Sequence, residues 1–323
     1  MEKIKNPHDK IFKETMSDIE TAKDFFRNYL PEELIKLIDL DNISVEKDSF
    51  IEKELGEYFS DILYRINLLG KESYIYFLFE HKSYNYKKIS LQLLEYMIKI
   101  WNLKVKQRKT LPIIIPIVIH HGKSKWNVGL NLSDILEEIP EELKKYIPNF
   151  EYILYDLTRF EDKDIRGHVK LRIFLEILKY IFSEEELPSK LKEIFELSEE
   201  LAKEDKEEEY FETLVKYILN AQEKLDLKDL ADIARESSIE RSERVMTAGE
   251  RLLTQGVEQG LQQGLLQGLL EGIQGMIEIK FGENGLWLME LIKKAKTLEE
   301  LEKIKEHIKK INTAEELERQ LKM

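Results

Sequence analysis

The chain has 323 residues, 42% of them hydrophobic, with no cysteine and a formal net charge of −13. That length and apolar share suit two domains with at least one buried core and exclude wholesale disorder. The lack of cysteine excludes disulfides, thiolate metal sites and cysteine nucleophiles, and it suits a reducing cytosol. The opening MEKIKNPHDK has no apolar signal core, and the longest apolar run, 111–119, is too short for a bilayer and holds Pro112 and Pro116. A soluble, cytoplasmic protein without membrane association is expected.

Residues 7–38 read as helices punctuated at Pro7, Ser17-Asp18 and Leu30-Pro31, with apolar stripes of Ile11, Phe12, Phe25, Phe26, Leu34 and Leu37. Strand-like runs follow at 43–50, 57–69 and 73–81. The last two flank a Gly70-Lys71 turn and so form an antiparallel hairpin. The 73–81 run is apolar on both faces, as a central strand covered on both sides requires. An amphipathic helix is expected near 89–103. A strand follows at 113–121, where Pro116 suggests an edge or a bulge. Another strand at 151–157 and a helix near 168–182 complete a mixed α/β sheet with helices on its faces.

Past Pro188 the strand signals stop. Residues 186–224 are acidic and helical, and 226–242 continue in helix. The tract that follows places glycine at 256, 260, 264, 268 and 272. An interior glycine costs a helix roughly 1 kcal/mol, so these five point either to close helix–helix approach or to a frayed linker. A helical pair at about 286–310 and 313–321 ends the chain. The organisation expected is a sheet domain over 1–185, an acidic helical region over 186–245, and a glycine-repeat helix with C-terminal helices over 246–323.

Charge is distributed unevenly. Basic residues lead acidic ones 21 to 19 over 1–130, whereas acids lead 44 to 29 from 131 onward. Within 82–125 ten basic residues face a single acid, Glu95. Such asymmetry fits a polyanion-binding domain joined to an acidic one, against the plainer reading of a solvated lysine-rich surface.

Within the hairpin, Glu80 and Lys82 lie two apart, on one face of a strand by period two, and Asp61 stands on the preceding strand where the turn can bring it across. Two converging carboxylates beside an ammonium can hold Mg²⁺ together with a phosphate, and a lysine there can position water or stabilise developing charge. Charges alternate along many exposed strands, so the spacing alone decides little. The position at the carboxyl end of an apolar strand, where α/β sites usually sit, gives it weight.

NPHDKIFKETMSDIETAKDFFRNYLPEEL, SDILYRI, YIYFLFEHKS, LLEYMIKIW and LPIIIPIVIHHG, in this order, resemble the Rpn/YhgA-like family of recombination-promoting nucleases, also called transposase-like, within the PD-(D/E)XK nuclease superfamily. The resemblance runs from about 6 to 180, and the glycine-every-four tract is also typical of such proteins. It implies a PD-(D/E)XK nuclease-like mixed sheet flanked by helices, followed by an all-helical C-terminal region. The implied activity is a divalent-metal-dependent DNA endonuclease linked to recombination or mobile elements, using Mg²⁺ with Mn²⁺ or Ca²⁺ as substitutes. By position, Asp61 and Glu80 match the metal-binding acids and Lys82 the third catalytic position; Ser60 replaces the proline of the PD pair. A homo-oligomer through the C-terminal helices is expected. The alternative is a non-catalytic DNA-binding or assembly protein that keeps the fold.

Other residues admit two readings. Glu54 is either an extra metal ligand or a solvated acid. Lys87, Lys88 and Gln92 stand where they could reach a phosphate, with an exposed helix end as the plainer reading. Asp9 is an N-cap or lines the site. His120 and His121 point to opposite faces of a strand and find no third ligand at suitable spacing, so loop packing is expected of them. Trp101 and Trp126 are expected to pack rather than stack on bases.

Overall fold

The helical N-terminus divides where local chemistry divides it, into α1 (Pro7–Met16), α2 (Ile19–Tyr29) and α3 (Glu32–Ile35). Pro7 takes the first helical position, where its missing N–H costs nothing. Asp18 caps α2, its carboxylate accepting from the Glu20 N–H at 3.2 Å. Leu30 turns extended before Pro31, as residues preceding proline tend to. This computed structural model describes residues 6–46, 61–80, 86–136, 138–201, 207–295 and 297–321.

The sheet runs β1 (Ile38–Val45), β2 (Asp61–Leu68), β3 (Lys71–Glu80), β4 (Ile114–His120) and β5 (Ile153–Asp156), in that spatial order. The pairings β1–β2 and β2–β3 are antiparallel, and β3–β4 and β4–β5 are parallel. Leu69 and Gly70 form the hairpin turn with φ of 51° and 79°, the positive values that suit right-twisted strands. The turn sits one residue before the expected Gly70-Lys71, because Lys71 already pairs with Leu68. Strand β1 begins at Ile38, not 43. Ile38, Leu40 and Ile43 are buried, but a register shift between Asp39 and Ser44 breaks their period. Pro116 does not mark an edge strand, since β4 lies inside the sheet. It precedes Ile117, where pairing to β5 starts, so it faces β3 alone and its missing donor is tolerated.

Helix α4 (Ile89–Lys106) returns the chain from the carboxyl end of β3 to the start of β4, the crossover that a parallel neighbour demands. It outlasts the expected end at 103 by a turn because Lys104 is buried, its ammonium donating to Glu72 Oε1 at 3.1 Å and to the Tyr74 hydroxyl. Under α4 lie Leu63, Tyr74, Tyr76, Leu78 and Val118. After α5 (Glu141–Lys144) come α6 (Val169–Tyr180), α7 (Leu187–Leu201), α8 (Glu207–Ala221) and α9 (Leu227–Ser237). On the opposite face Phe12, Phe25, Phe26, Tyr64, Phe77 and Phe174 share a core with Phe195 of α7, Val215 of α8 and Ala231 of α9.

Helix α10 (Ile239–Phe281) is continuous over 43 residues, so the glycine tract is helix and not a frayed linker. Contacts divide the chain inside it, Ile4–Gly249 forming one compact unit and Glu250–Met323 belonging to a second. In the second, Ile273 and Ile277 pack with α11 (Leu288–Ile292), α12 (Leu298–Lys310) and α13 (Ala314–Leu321). The expected helix over 286–310 is thus broken in two, where the Thr297 side chain accepts from the Glu300 N–H at 3.2 Å and starts α12. No helix among the described residues is long and apolar enough to cross a membrane.

Phe77 is fully buried, with its ring 5.3, 5.2 and 6.1 Å from those of Phe12, Phe25 and Phe26. Phe77→Ala is expected to cost about 3–5 kcal/mol in urea denaturation followed by circular dichroism. A loss below about 1 kcal/mol would contradict this packing.

Candidate active site

Strand parity sorts the polar residues at the carboxyl end of β3. Alternate positions of a strand share a face, and Leu63, Leu78 and Val118 define the face under α4. Asp61 has the parity of Leu63 and pairs with Leu78, two positions before Glu80. Glu80 pairs with His120, and His120 pairs with Asp156. Glu80, His120 and Asp156 therefore form one row across β3, β4 and β5, on strands spaced about 4.8 Å apart, and Asp61 of β2 stands two residues along from it with the same parity. The hairpin brings Asp61 and Glu80 to diagonal positions, roughly 7–8 Å apart along such a ladder. For these two residues the backbone positions are described. Lys82 and Glu54 lie outside the described residues.

Helix α4 begins at the same end, since it starts soon after Glu80 and runs back beneath the sheet. Its N-terminus carries a partial positive charge. Lys87 and Lys88 are exposed in the turn before it, and Gln92 is half-buried in its first turn, its N–H donating to the Lys88 carbonyl at 3.1 Å. Lys106, Arg108, Lys109, Lys123 and Lys125 are exposed as well. Lys104 has to be withdrawn from the basic surface, because it is spent on Glu72 and Tyr74 inside the protein. Trp126 is buried and Trp101 donates its indole N–H to the Pro112 carbonyl at 2.9 Å, so both pack, as expected.

The two described side chains of the row contrast. Asp156 is saturated. Its Oδ2 accepts from the Trp126 N–H and from Arg159 Nε, both at 2.9 Å, and its Oδ1 accepts from the Thr158 N–H at 3.1 Å and hydroxyl at 2.6 Å. It holds the 126 and 158 segments together. His120 is 0% exposed and half satisfied. Its Nε2 is 2.8 Å from the Ser124 carbonyl oxygen, which can only accept, so Nε2 carries the hydrogen. Among the described residues Nδ1 is buried without a partner, as is the Ser90 hydroxyl in the first turn of α4. The sequence offers His120 only as half of a His-His pair. Its place on the rung of Glu80 needs the register.

The expectation of opposite faces for the two histidines holds. His120 packs on Trp126, with ring centroids 4.9 Å apart, while His121 stacks on Phe182 at 4.8 Å. His121 Nε2 lies 3.2 Å from His8 Nδ1, and the Tyr217 hydroxyl lies 2.9 Å from that same Nδ1. Burial pushes the Tyr217 phenol well above its ordinary pKa, which keeps it a donor. Asp9 is buried in the first turn of α1 and is not its N-cap, a position taken by Asn6 at φ 53°. Among the described residues, no group of three His, Cys, Asp or Glu is placed to hold a metal.

Asp156→Ala removes one acceptor from four donors in a buried corner. It is expected to cost about 1–3 kcal/mol by chemical denaturation. An unchanged midpoint would show that these bonds contribute nothing net.

The family model described as "Putative transposase, YhgA-like" matches residues 6–209. The chain is 29% identical over 253 residues to the inactive recombination-promoting nuclease-like protein RpnE of Escherichia coli (strain K12), covering 78% of this chain and 83% of that protein. It is 30% identical to the recombination-promoting nuclease RpnC of the same organism over 60% of this chain and 64% of that one. To the recombination-promoting nuclease RpnA it is 28% identical, over 77% and 84%. No solved structure matches.

Proposed function

The chain belongs to the YhgA-like transposase family, and we propose that it is a divalent-metal-dependent endodeoxyribonuclease acting in DNA recombination or on mobile elements. The observation that carries this reading is the ladder register, which sets Asp61 diagonal to Glu80 at the carboxyl end of the central strand, on the face where α4 begins. Its relatives RpnC and RpnA are named nucleases. The donor set fits a cation: two carboxylate positions, with a buried imidazole nitrogen on the next strand that has no partner among the described residues. Asp61 and Glu80 would hold the ion, with Glu54 as a further candidate. When bound, it lowers the pKa of water and offsets charge on the phosphate.

The residues of the chain do the rest. Lys82 orients the attacking water and stabilises the charge that develops on phosphorus-bound oxygens. One water adds to phosphorus, the scissile P–O bond breaks, and a phosphate monoester and a hydroxyl result. Lys87, Lys88 and Gln92, beside the positive end of α4, grip flanking phosphates. The second reading is a non-catalytic DNA-binding or assembly protein, favoured by the relative RpnE, whose name calls it inactive.

Cleavage of supercoiled plasmid with Mg²⁺, Mn²⁺ or Ca²⁺ separates the two readings. Wild type is expected to cleave, and Asp61→Ala to fall by roughly tenfold to a hundredfold or more, the scale on which metal sites respond to lost partners. Equal cleavage by both sinks the role given to Asp61, and cleavage by neither favours the non-catalytic reading.

The same reading includes a homo-oligomer built through α10. A Cβ added at Gly256, Gly260, Gly264, Gly268 or Gly272 would meet nothing within 4 Å, so nothing within the chain requires glycine there. Leu253, Val257, Leu261 and Leu265 follow the same four-residue step and are 44%, 72%, 64% and 52% exposed. A glycine row beside an apolar row lets an identical helix approach closely, at the steep crossing that i±4 ridges give. Arg241, Ser242, Val245 and Ala248 are buried in the first unit, so truncation belongs after Gly249. Light scattering is expected to give fewer protomers per particle for a chain ending at Gly249, and for Leu261→Asp in the full chain. An unchanged number of protomers for both sinks the proposal.

A further inference from the structure

A histidine that only packs a loop has both ring nitrogens answered or one of them in water. His120 has neither. It is 0% exposed, Nε2–H is held on the Ser124 carbonyl at 2.8 Å, and Nδ1 is buried with no partner among the described residues. An unmade hydrogen bond in the interior carries the full desolvation cost of the group. Asp156, on the next strand of the same row, shows that this corner can satisfy a polar group completely, with four donors on one carboxylate. The Ser90 hydroxyl and the Trp126 indole N–H are likewise buried without a partner among the described residues, but of these groups Nδ1 alone offers a nitrogen lone pair.

Its chemistry is that of a ligand. Metal-binding histidines characteristically donate their other ring N–H to a carboxylate or backbone carbonyl, which fixes the tautomer and turns the bare nitrogen toward the ion. Nε2–H on Ser124 O with a free Nδ1 is that arrangement. The rung places it well, because His120 pairs directly with Glu80 across adjacent parallel strands and has the same parity. Packing against Trp126 at 4.9 Å, edge to face, locks the ring. We infer that His120, through Nδ1, is a nitrogen ligand to the divalent cation held by Asp61 and Glu80, forming a two-carboxylate, one-imidazole centre. This rests on the metal-site reading above. It adds a prediction about the ion, because an imidazole ligand shifts preference away from Mg²⁺, which favours oxygen, toward divalent transition metals.

The test uses Mn²⁺ as a spectroscopic probe of the full chain. Pulsed electron paramagnetic resonance should show ¹⁴N hyperfine coupling to bound Mn²⁺, and the pattern should change to that of ¹⁵N when the chain carries ¹⁵N-histidine. The coupling should vanish in His120→Gln, whose amide can still donate to Ser124 O, and persist in His121→Gln on the opposite face. By calorimetry, Mn²⁺ affinity should drop roughly tenfold or more in His120→Gln. Mn²⁺ binding that is weakened by Asp61→Ala yet lacks nitrogen coupling overturns the role of His120 and leaves the metal site standing. Coupling that survives in His120→Gln does the same. No Asp61-dependent Mn²⁺ binding overturns the metal site and this inference with it. The labelled wild type reads out without depending on how well any variant folds.

Discussion

Strand β3 is the constraint on which the rest depends, because it is closed on every side. Its neighbours occupy both edges, antiparallel β2 and parallel β4. Tyr74, Ile75, Tyr76 and Phe77 are 0% exposed, and Leu78 is 3%. A strand with both faces buried divides its residues between two cores by parity alone. Tyr74, Tyr76 and Leu78 go beneath α4, while Ile75 and Phe77 go to the core of α1, α2 and α6. Along such a strand a charged residue has no place until the cover ends. Glu80 is the last residue of the strand.

The switch from antiparallel to parallel pairing at β3 has a second consequence. A parallel neighbour requires a crossover, so α4 must leave the carboxyl end and run back. This sets the positive end of a helix of 18 residues beside the polar row, with Lys87 and Lys88 exposed just before it. The helix dipole, the row of polar positions and the exposed bases coincide because one connection produces all three. The net charge of the whole chain, dominated by its acidic second half, conceals this.

What could be read in the sequence follows from how local each signal is. The breaks at Ser17-Asp18 and Leu30-Pro31 were legible because capping and proline act within a few residues. The hairpin and α4 were legible because their apolar periods are unbroken. The start of β1 was not, since the shift between Asp39 and Ser44 spoils the alternation. The status of Lys104 was equally hidden. It reads as one more base in a basic stretch, and only the approach of Glu72 and Tyr74 from β3 reveals it as an interior cation. At the site, Asp61 and Glu80 could be paired from the length of the hairpin. His120 lies forty residues beyond Glu80, and no spacing rule links them. Their link is a rung of the ladder.

The electrostatics of the row explain why its members are treated differently. Asp156 is buried, but Arg159 lies 2.9 Å away and three further donors complete its shell, so its charge is answered within the chain. Asp61 and Glu80 are two acids at diagonal positions of neighbouring strands, with the same parity. On the next strand His120 Nδ1 is buried without a hydrogen-bond partner among the described residues. Under the proposed reading, Asp61, Glu80 and His120 would together hold a divalent cation, which would supply charge neutralisation at the phosphate.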